Sequence, residues 1–217
     1  MIKLIVTGSI DSGKSTFVSL LQKSLDGVAD IDFIDMDSIV ADMFTREDVL
    51  ADLIDTFGIR CKEEVIARLS TGDLEFQEEY NDFIEGYTSD YLISMALSNS
   101  NIILEFPLFF ESYLKSKSPT TQLLRKHFTI LNITMADKDE RIARVKERCK
   151  TKHPTWTDEL IDVLAEAQIA EVLKNGLSDI SIENRGSLEE LQEDVDGFIN
   201  DWIDECNGEF IPALEMM

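Results

Sequence analysis

Five short apolar runs stand out along the chain, and the segments between them space their apolar residues at three and four. The runs are IKLIVT (2–7), IDFID (31–35), NIILEF (101–106), FTILNIT (128–134) and DISIEN (179–184), rich in Ile and Phe. Their length suits strands, and strands separated by long helical patterns form a mostly parallel sheet covered on both faces. After the first run a glycine turn leads straight into Phe17, Leu20, Leu21 and Leu25 at helical spacing. The alternation predicts an α/β fold of three layers, with helices on both faces of a five-stranded sheet.

Two further regions are read as helical. Leu188, Leu191, Val195, Phe198, Ile199, Trp202 and Ile203 form one apolar stripe near the end, and Ser187 with Glu190 makes a capping-box pattern before it. Between about 45 and 98 no strand pattern occurs. Val49, Leu53, Ile54 and Phe57 follow one stripe there, and Phe76, Tyr80, Phe83, Tyr87 and Tyr91 another, which reads as core before it reads as a ligand-stacking surface. No repeat or linker divides the sequence. One domain over 1–206 is expected, with a helical insert at about 45–98 and a loose tail at 207–217.

Composition narrows the function. The 217 residues are 44% hydrophobic, enough for a substantial core. No apolar stretch reaches the roughly 18–20 residues of a membrane span, and MIKLIVTG is too short for a secretion signal, so a soluble, cytoplasmic protein is expected. Cys61, Cys149 and Cys206 are odd in number and widely spaced, which suggests neither a disulfide framework nor a zinc site. A formal charge of −23 argues against nucleic-acid and anionic-membrane partners, because phosphate-backbone affinity comes from clustered Lys and Arg. An anionic ligand has to be held by a local field opposing the global one, so the positions of the 20 basic residues are informative.

GSIDSGKS, residues 8–15, supplies such a field. Gly8, Gly13, Lys14 and Ser15 satisfy G-x-x-x-x-G-K-[ST] directly after a strand and before a helix. Glycines let successive N–H groups from Gly8 through Ser9, Ile10, Asp11 and Ser12 to Gly13 turn toward a phosphate, and the helix start at Lys14, Ser15 and Thr16 adds its dipole. Lys14 brings a point charge and the Ser15 hydroxyl a ligand for Mg²⁺. No N-K-x-D follows a later strand, and Asp55-Thr56-Phe57-Gly58 ends a helical pattern, so a GTPase is disfavoured. The chain is short for a motor, and its insert lies where small-molecule P-loop kinases build an acceptor site. A kinase using ATP and Mg²⁺ on a small-molecule substrate is the leading reading.

Two features extend it. Glu105 ends an apolar strand, IILE, in a Walker-B-like position that can hold the Mg²⁺ shell through water. From Lys138 to Lys152 seven basic residues face three acidic ones, and Arg141, Arg144 and Arg148 share one helical face. This is the face that a short helical lid, at about 138–157, would turn toward a triphosphate, with Arg144 and Arg148 the leading contacts. Lys150, Lys152 and His153 are placed at its tip.

Four blocks resemble the dephospho-CoA kinase family. LIVTGSIDSGKS (4–15) is similar to its opening V-x-L-T-G-G-I-G-S-G-K-S, and FIDMDSIVA (33–41) to I-D-A-D-x-I-A. IILEFPLFFE (102–111) resembles V-V-L-D-x-P-L-L-F-E, and Ala167-Gln168 with SDISIENRG (178–186) resembles A-Q followed by A-D-x-V-I-x-N-x-G at the same interval. The resemblance implies a P-loop kinase-type fold and phosphate transfer from ATP to the ribose 3′-hydroxyl of dephospho-CoA. It implies that Asp37 orients the acceptor hydroxyl or takes its proton, and that Asn184 and Gly186 lie against adenine. Gln168 reads equally as structural, and Asp37 also suits a helix cap before Ser38 and Ile39.

The likeness weakens in the insert, where the family's His-Pro pair appears as Asn81-Asp82. A nucleoside or (deoxy)nucleoside monophosphate kinase, with Tyr80, Asn81 and Tyr87 reading a base, therefore stays open, as does a regulator that binds ATP without transferring phosphate. Asp11 also departs, since the family usually carries glycine at the positions of Ser9 and Asp11. Its carboxylate is expected to recruit a cation or to bond a neighbouring loop.

Overall fold

The computed structural model describes residues 1–28, 30–69, 71–116, 118–135, 138–152 and 157–205. The chain opens with strand β1 (Lys3–Gly8), the phosphate loop, helix α1 (Lys14–Leu25), β2 (Asp32–Asp35) and α2 (Met36–Met43). Three helices follow: α3 (Glu47–Phe57), α4 (Lys62–Leu69) and α5 (Leu74–Leu97). The chain then returns through β3 (Ile102–Glu105), a one-turn α6 (Phe109–Glu111) with a π-helical turn, α7 (Pro119–His127) and β4 (Thr129–Thr134). It ends with α8 (Lys138–Lys152), α9 (Asp158–Ala167), α10 (Glu171–Leu177), β5 (Ile180–Glu183) and α11 (Leu188–Glu205). All five expected strands are present, and each runs within a residue of the apolar run that marked it.

The sheet order is β2-β3-β1-β4-β5 and every pairing is parallel. β1 lies in the middle, and all six of its residues are buried. Its side chains alternate between two cores, as the period of a strand requires. Leu4 and Val6 pack with Phe17 and Leu21 of α1 and with Leu191, Val195, Phe198 and Trp202 of α11. Ile5 packs on the other face with Leu92 and Met95 of α5, Phe109 and Phe110, and Leu124 of α7. Because the connections reverse direction around β1, the carboxyl ends of β1, β3 and β2 open on one crevice, where ligands of such sheets bind.

Lys3 is the odd residue in a buried central strand. Its ammonium donates to the Met95 and Ser98 carbonyls at 2.9 and 2.8 Å and also to Ala96, so it caps the carboxyl end of α5. A cation satisfies orphan carbonyls and opposes the helix dipole there.

Helices α3 to α5 form a satellite core of Leu53, Ile59, Val65 and Phe76, with Phe57, Tyr80 and Phe83 packed against it. The aromatic stripe is core at Phe76, whereas Tyr91 at its far end is 47% exposed. Gly58, with φ 70°, ends α3, so Asp55-Thr56-Phe57-Gly58 is a helix stop and no nucleotide motif. Ser187 accepts the Glu190 N–H at 3.2 Å and donates to its carboxylate at 2.8 Å, completing the capping box of α11. Leu188 departs from the expected stripe and is 57% exposed. Among the described residues no helix is long and apolar enough to cross a membrane. Residues 207–217 and His153 lie outside the described residues.

Candidate active site

The phosphate loop is held by side chains from distant parts of the chain. Asn184, just after β5, donates Nδ2 to the Ser12 carbonyl at 2.9 Å, and its Oδ1 accepts the Gly186 N–H at 3.0 Å. Gln168 Oε1 accepts the Ile10 N–H at 3.1 Å, and Arg141 Nη1 donates to the Ile10 carbonyl at 2.9 Å. Beneath the loop the fully buried Lys174 pairs with Glu111 Oε1 at 3.0 Å and reaches Ser9 Oγ at 3.3 Å. Two glycines are fixed by this crowding. A Cβ on Gly8 would lie 2.3 Å from the Ile133 carbonyl oxygen, and one on Gly13 would lie 2.3 Å from Asn184 Nδ2.

Lys14 opens α1 and is almost wholly buried, its ammonium donating to the Ser9 carbonyl at 2.9 Å. Burial lowers its pKa from 10.5 to about 8. Glu105 and Asp37 pull it back upward, while Lys174 and Arg148 push it further down. These charges therefore share one crevice.

Ser15 Oγ donates to Glu105 Oε1 at 2.7 Å, joining the head of α1 to the end of β3. A hydroxyl beside one carboxylate fits Mg²⁺, which takes one or two protein oxygens and fills its octahedron with water and phosphate. Among the described residues no cluster of three or more His, Cys, Asp or Glu forms an all-protein cage for a metal. Burial raises the Glu105 pKa; the Ser15 bond and Lys14 oppose the shift.

At the end of β2 the two aspartates divide the work. Asp35 caps α2, accepting the Asp37 N–H at 3.0 Å and the Ser38 hydroxyl at 2.6 Å. Asp37, at the head of α2, is left free of capping and acts electrostatically on Lys14. Solvent reaches it, yet protein crowds it enough that desolvation, then Asp35, raises its pKa against the pull of Lys14 and Lys62.

The three arginines of α8 all turn toward the phosphate loop. Arg141 is 3% exposed and anchors Ile10, while Val145 packs on Ile161 and Ile10, so this face of the helix docks on the loop. Arg141 is the buried one of the three, yet it turns toward the loop as Arg144 and Arg148 do, nearly in line with Arg148 two turns on. Arg144 lies within 3.9 Å of the Cβ that Gly186 lacks and lines a cleft of about 220 Å³ with Asp11, Gly13, Thr16, Asn184 and Leu188. Arg148 Nη1 contacts Asp11 Oδ1 at 2.6 Å. Asp11 thus bonds a neighbouring helix, where a neighbouring loop or a recruited cation was expected.

Asn184 bonds the loop directly, and with Gly186 it also borders the cleft. Sequence reasoning missed Lys174, Lys62 and Leu188. Lys174 is one lysine in a short amphipathic segment, and only the fold brings it under Ser9. Glu111 closes the quoted block 102–111, yet nothing in that block pointed to a buried partner.

A glycine loop after the central strand, its lysine at the head of α1 and a hydroxyl–carboxylate pair beside it, all on a parallel 2-3-1-4-5 sheet, define a P-loop kinase, an ATP-dependent phosphotransferase. No family model matches the chain. It is 30% identical over 208 residues to the dephospho-CoA kinase of Helicobacter hepaticus, covering 89% of each chain. It is 25% identical over 220 residues to that of Listeria innocua, covering 91% of this chain and 96% of the other. The chain belongs to the dephospho-CoA kinase family. The solved dephospho-CoA kinase of Campylobacter jejuni superposes with a TM-score of 0.59 at 18% identity, covering 94% of this chain and 98% of that one. A shikimate kinase of Acinetobacter baumannii superposes at 0.53 and 13% identity, covering 93% and 94%. Similar scores from kinases of two names show the fold and leave the acceptor to other arguments.

Proposed function

We propose that the protein transfers the γ-phosphoryl group of ATP to the ribose 3′-hydroxyl of dephospho-CoA, the last step of coenzyme A synthesis, in the cytoplasm. The observation that carries this reading is the meeting of Lys14, the Ser15–Glu105 pair and Asp37 at the carboxyl ends of β1, β3 and β2. The loop from Gly8 to Thr16 cradles the phosphates. The cleft beside Asn184, Gly186 and Leu188 takes the adenine. Mg²⁺, held through Ser15 and Glu105, supplies charge neutralisation when bound.

Asp37 orients the acceptor hydroxyl and receives its proton as the new O–P bond forms and the bond to the departing ADP breaks. A carboxyl with a raised pKa suits that task, and placement matters more than basicity in a loose transition state. Arg144 and Arg148 approach the phosphates from α8, which acts as the lid. Helices α3 to α5 form the acceptor insert, where Lys62 brings a cation to the side of Asp37.

The rival nucleoside or nucleoside monophosphate reading asks Tyr80, Asn81 and Tyr87 to recognise a base, and its two aromatic members bear on the choice. Tyr80 instead stacks on Phe76, with centroids 5.8 Å apart, and Tyr87 bonds Asp52. Both are committed within the protein, which favours dephospho-CoA. A regulator without turnover has no use for Asp37 beside Lys14. The test is ADP release with ATP, Mg²⁺ and dephospho-CoA by wild-type protein and Asp37→Asn. Turnover by the wild type and a loss of at least about 100-fold in the variant are expected; a variant near the wild-type rate would remove Asp37 from the acceptor role.

A further inference from the structure

Asp11 is the only non-glycine residue with positive φ among those described, at 60°. Aspartate tolerates this left-handed conformation better than most side chains, so a carboxylate can occupy a position whose backbone favours glycine. Its side chain is only 16% exposed, and its Oδ1 lies 2.6 Å from Arg148 Nη1, whose side chain is 43% exposed. The guanidinium also acts electrostatically on Lys14, so it stands within reach of the phosphate cradle. Helix α8 is already pinned to the loop by Arg141 on Ile10 and by Val145 in its small core. The Asp11 contact fixes a second point two turns further along.

We propose that Asp11 is a positioning residue for Arg148: it holds the guanidinium over the phosphate loop and yields it to the nucleotide. The inference rests on the kinase reading above. A carboxylate and a phosphate oxygen offer the same guanidinium the same kind of partner, so they compete for it. A triphosphate seated in the loop takes over Arg148 and has to outbid Asp11. The consequence is a lid arginine held close before catalysis, at a cost in nucleotide affinity equal to the strength of the pair.

The experiment is calorimetric titration of a non-hydrolysable ATP analogue with Mg²⁺ into wild type, Asp11→Asn, Asp11→Gly, Arg148→Gln and the combined variants. Asparagine and glycine both suit the backbone, so the fold is retained. In the presence of Arg148, both Asp11 substitutions are expected to tighten binding roughly three- to tenfold. In the Arg148→Gln background the same changes should move affinity by less than about twofold. In steady-state assays the KM for ATP should fall in Asp11→Asn without a matching rise in kcat. Unchanged or weaker binding in Asp11→Asn overturns the proposal. So does an equally large gain without Arg148, which would mean simple repulsion between Asp11 and the phosphates. A wild-type protein that binds no analogue would sink the kinase reading and this inference together, whereas binding with additive substitutions would sink the inference alone.

Discussion

Because burial holds the Lys14 pKa at about 8 rather than 10.5, the ammonium begins to lose its proton just above neutrality. Between those two values the unfolded chain binds more protons at this site than the folded one, so Lys14 makes stability rise with pH across that window and is a cost below it. A phosphate in the loop favours the charged form and draws the pKa back up. Binding of an ATP analogue at about pH 8.5 should therefore take up a fraction of a proton, and binding should weaken as pH climbs past 8. Calorimetry in buffers of different ionisation enthalpy reads this directly, and uptake that persists in Lys14→Met would assign it elsewhere. At Gly13 the constraint is steric as well as conformational, with φ 98° and Asn184 Nδ2 at 2.3 Å from a built Cβ. Gly13→Ala should lower stability by about 1–3 kcal/mol in denaturant melts and weaken nucleotide binding; an unchanged midpoint would show that Asn184 can move aside without loss.

At the scale of elements, the two aspartates that end β2 give opposite expectations. Asp35→Ala removes the cap of α2 and should cost about 1 kcal/mol of stability. Asp37→Asn removes a carboxylate whose raised pKa marks an unfavourable charge in the folded state, so its thermal midpoint should hold or rise while turnover collapses. A midpoint lowered as far as that of Asp35→Ala would show that Asp37 is structural. Lys3→Met leaves the carbonyls at the end of α5 without their cation and should cost about 1–3 kcal/mol. The periodic signals made the strands, the last helix and its capping box legible, because each is a local pattern of burial. The phosphate loop was legible for the same reason, its glycines, lysine and serine being contiguous. The buried Lys174–Glu111 pair was not, since 63 residues of chain separate partners that only the fold brings together. Spacing placed Arg141 on one face with Arg144 and Arg148, and all three turn to the loop, but only the fold shows that Arg141 is buried there on the Ile10 carbonyl. Leu188 has the helical register of a core residue yet borders the cleft, because α11 starts at the rim of the sheet.

For the whole molecule the charge is the dominant fact. A chain at −23 repels itself, yet five of its 20 basic residues, Lys14, Lys174, Arg141, Arg144 and Arg148, surround the loop. Screening should relieve the repulsion, so the melting temperature should rise as salt goes from about 20 to 200 mM, and a fall would show that the ion pairs outweigh it. In the proposed function the crevice at the carboxyl ends of the sheet carries phosphoryl transfer, and the helices between β2 and β3 carry the choice of acceptor. The central claim joins the two. Its most direct test is incubation of the protein with ATP, Mg²⁺ and dephospho-CoA, followed by chromatographic identification of the products. Coenzyme A and ADP in equal amounts are expected; ADP without coenzyme A, or turnover only with a nucleoside, a nucleoside monophosphate or shikimate, would contradict the account.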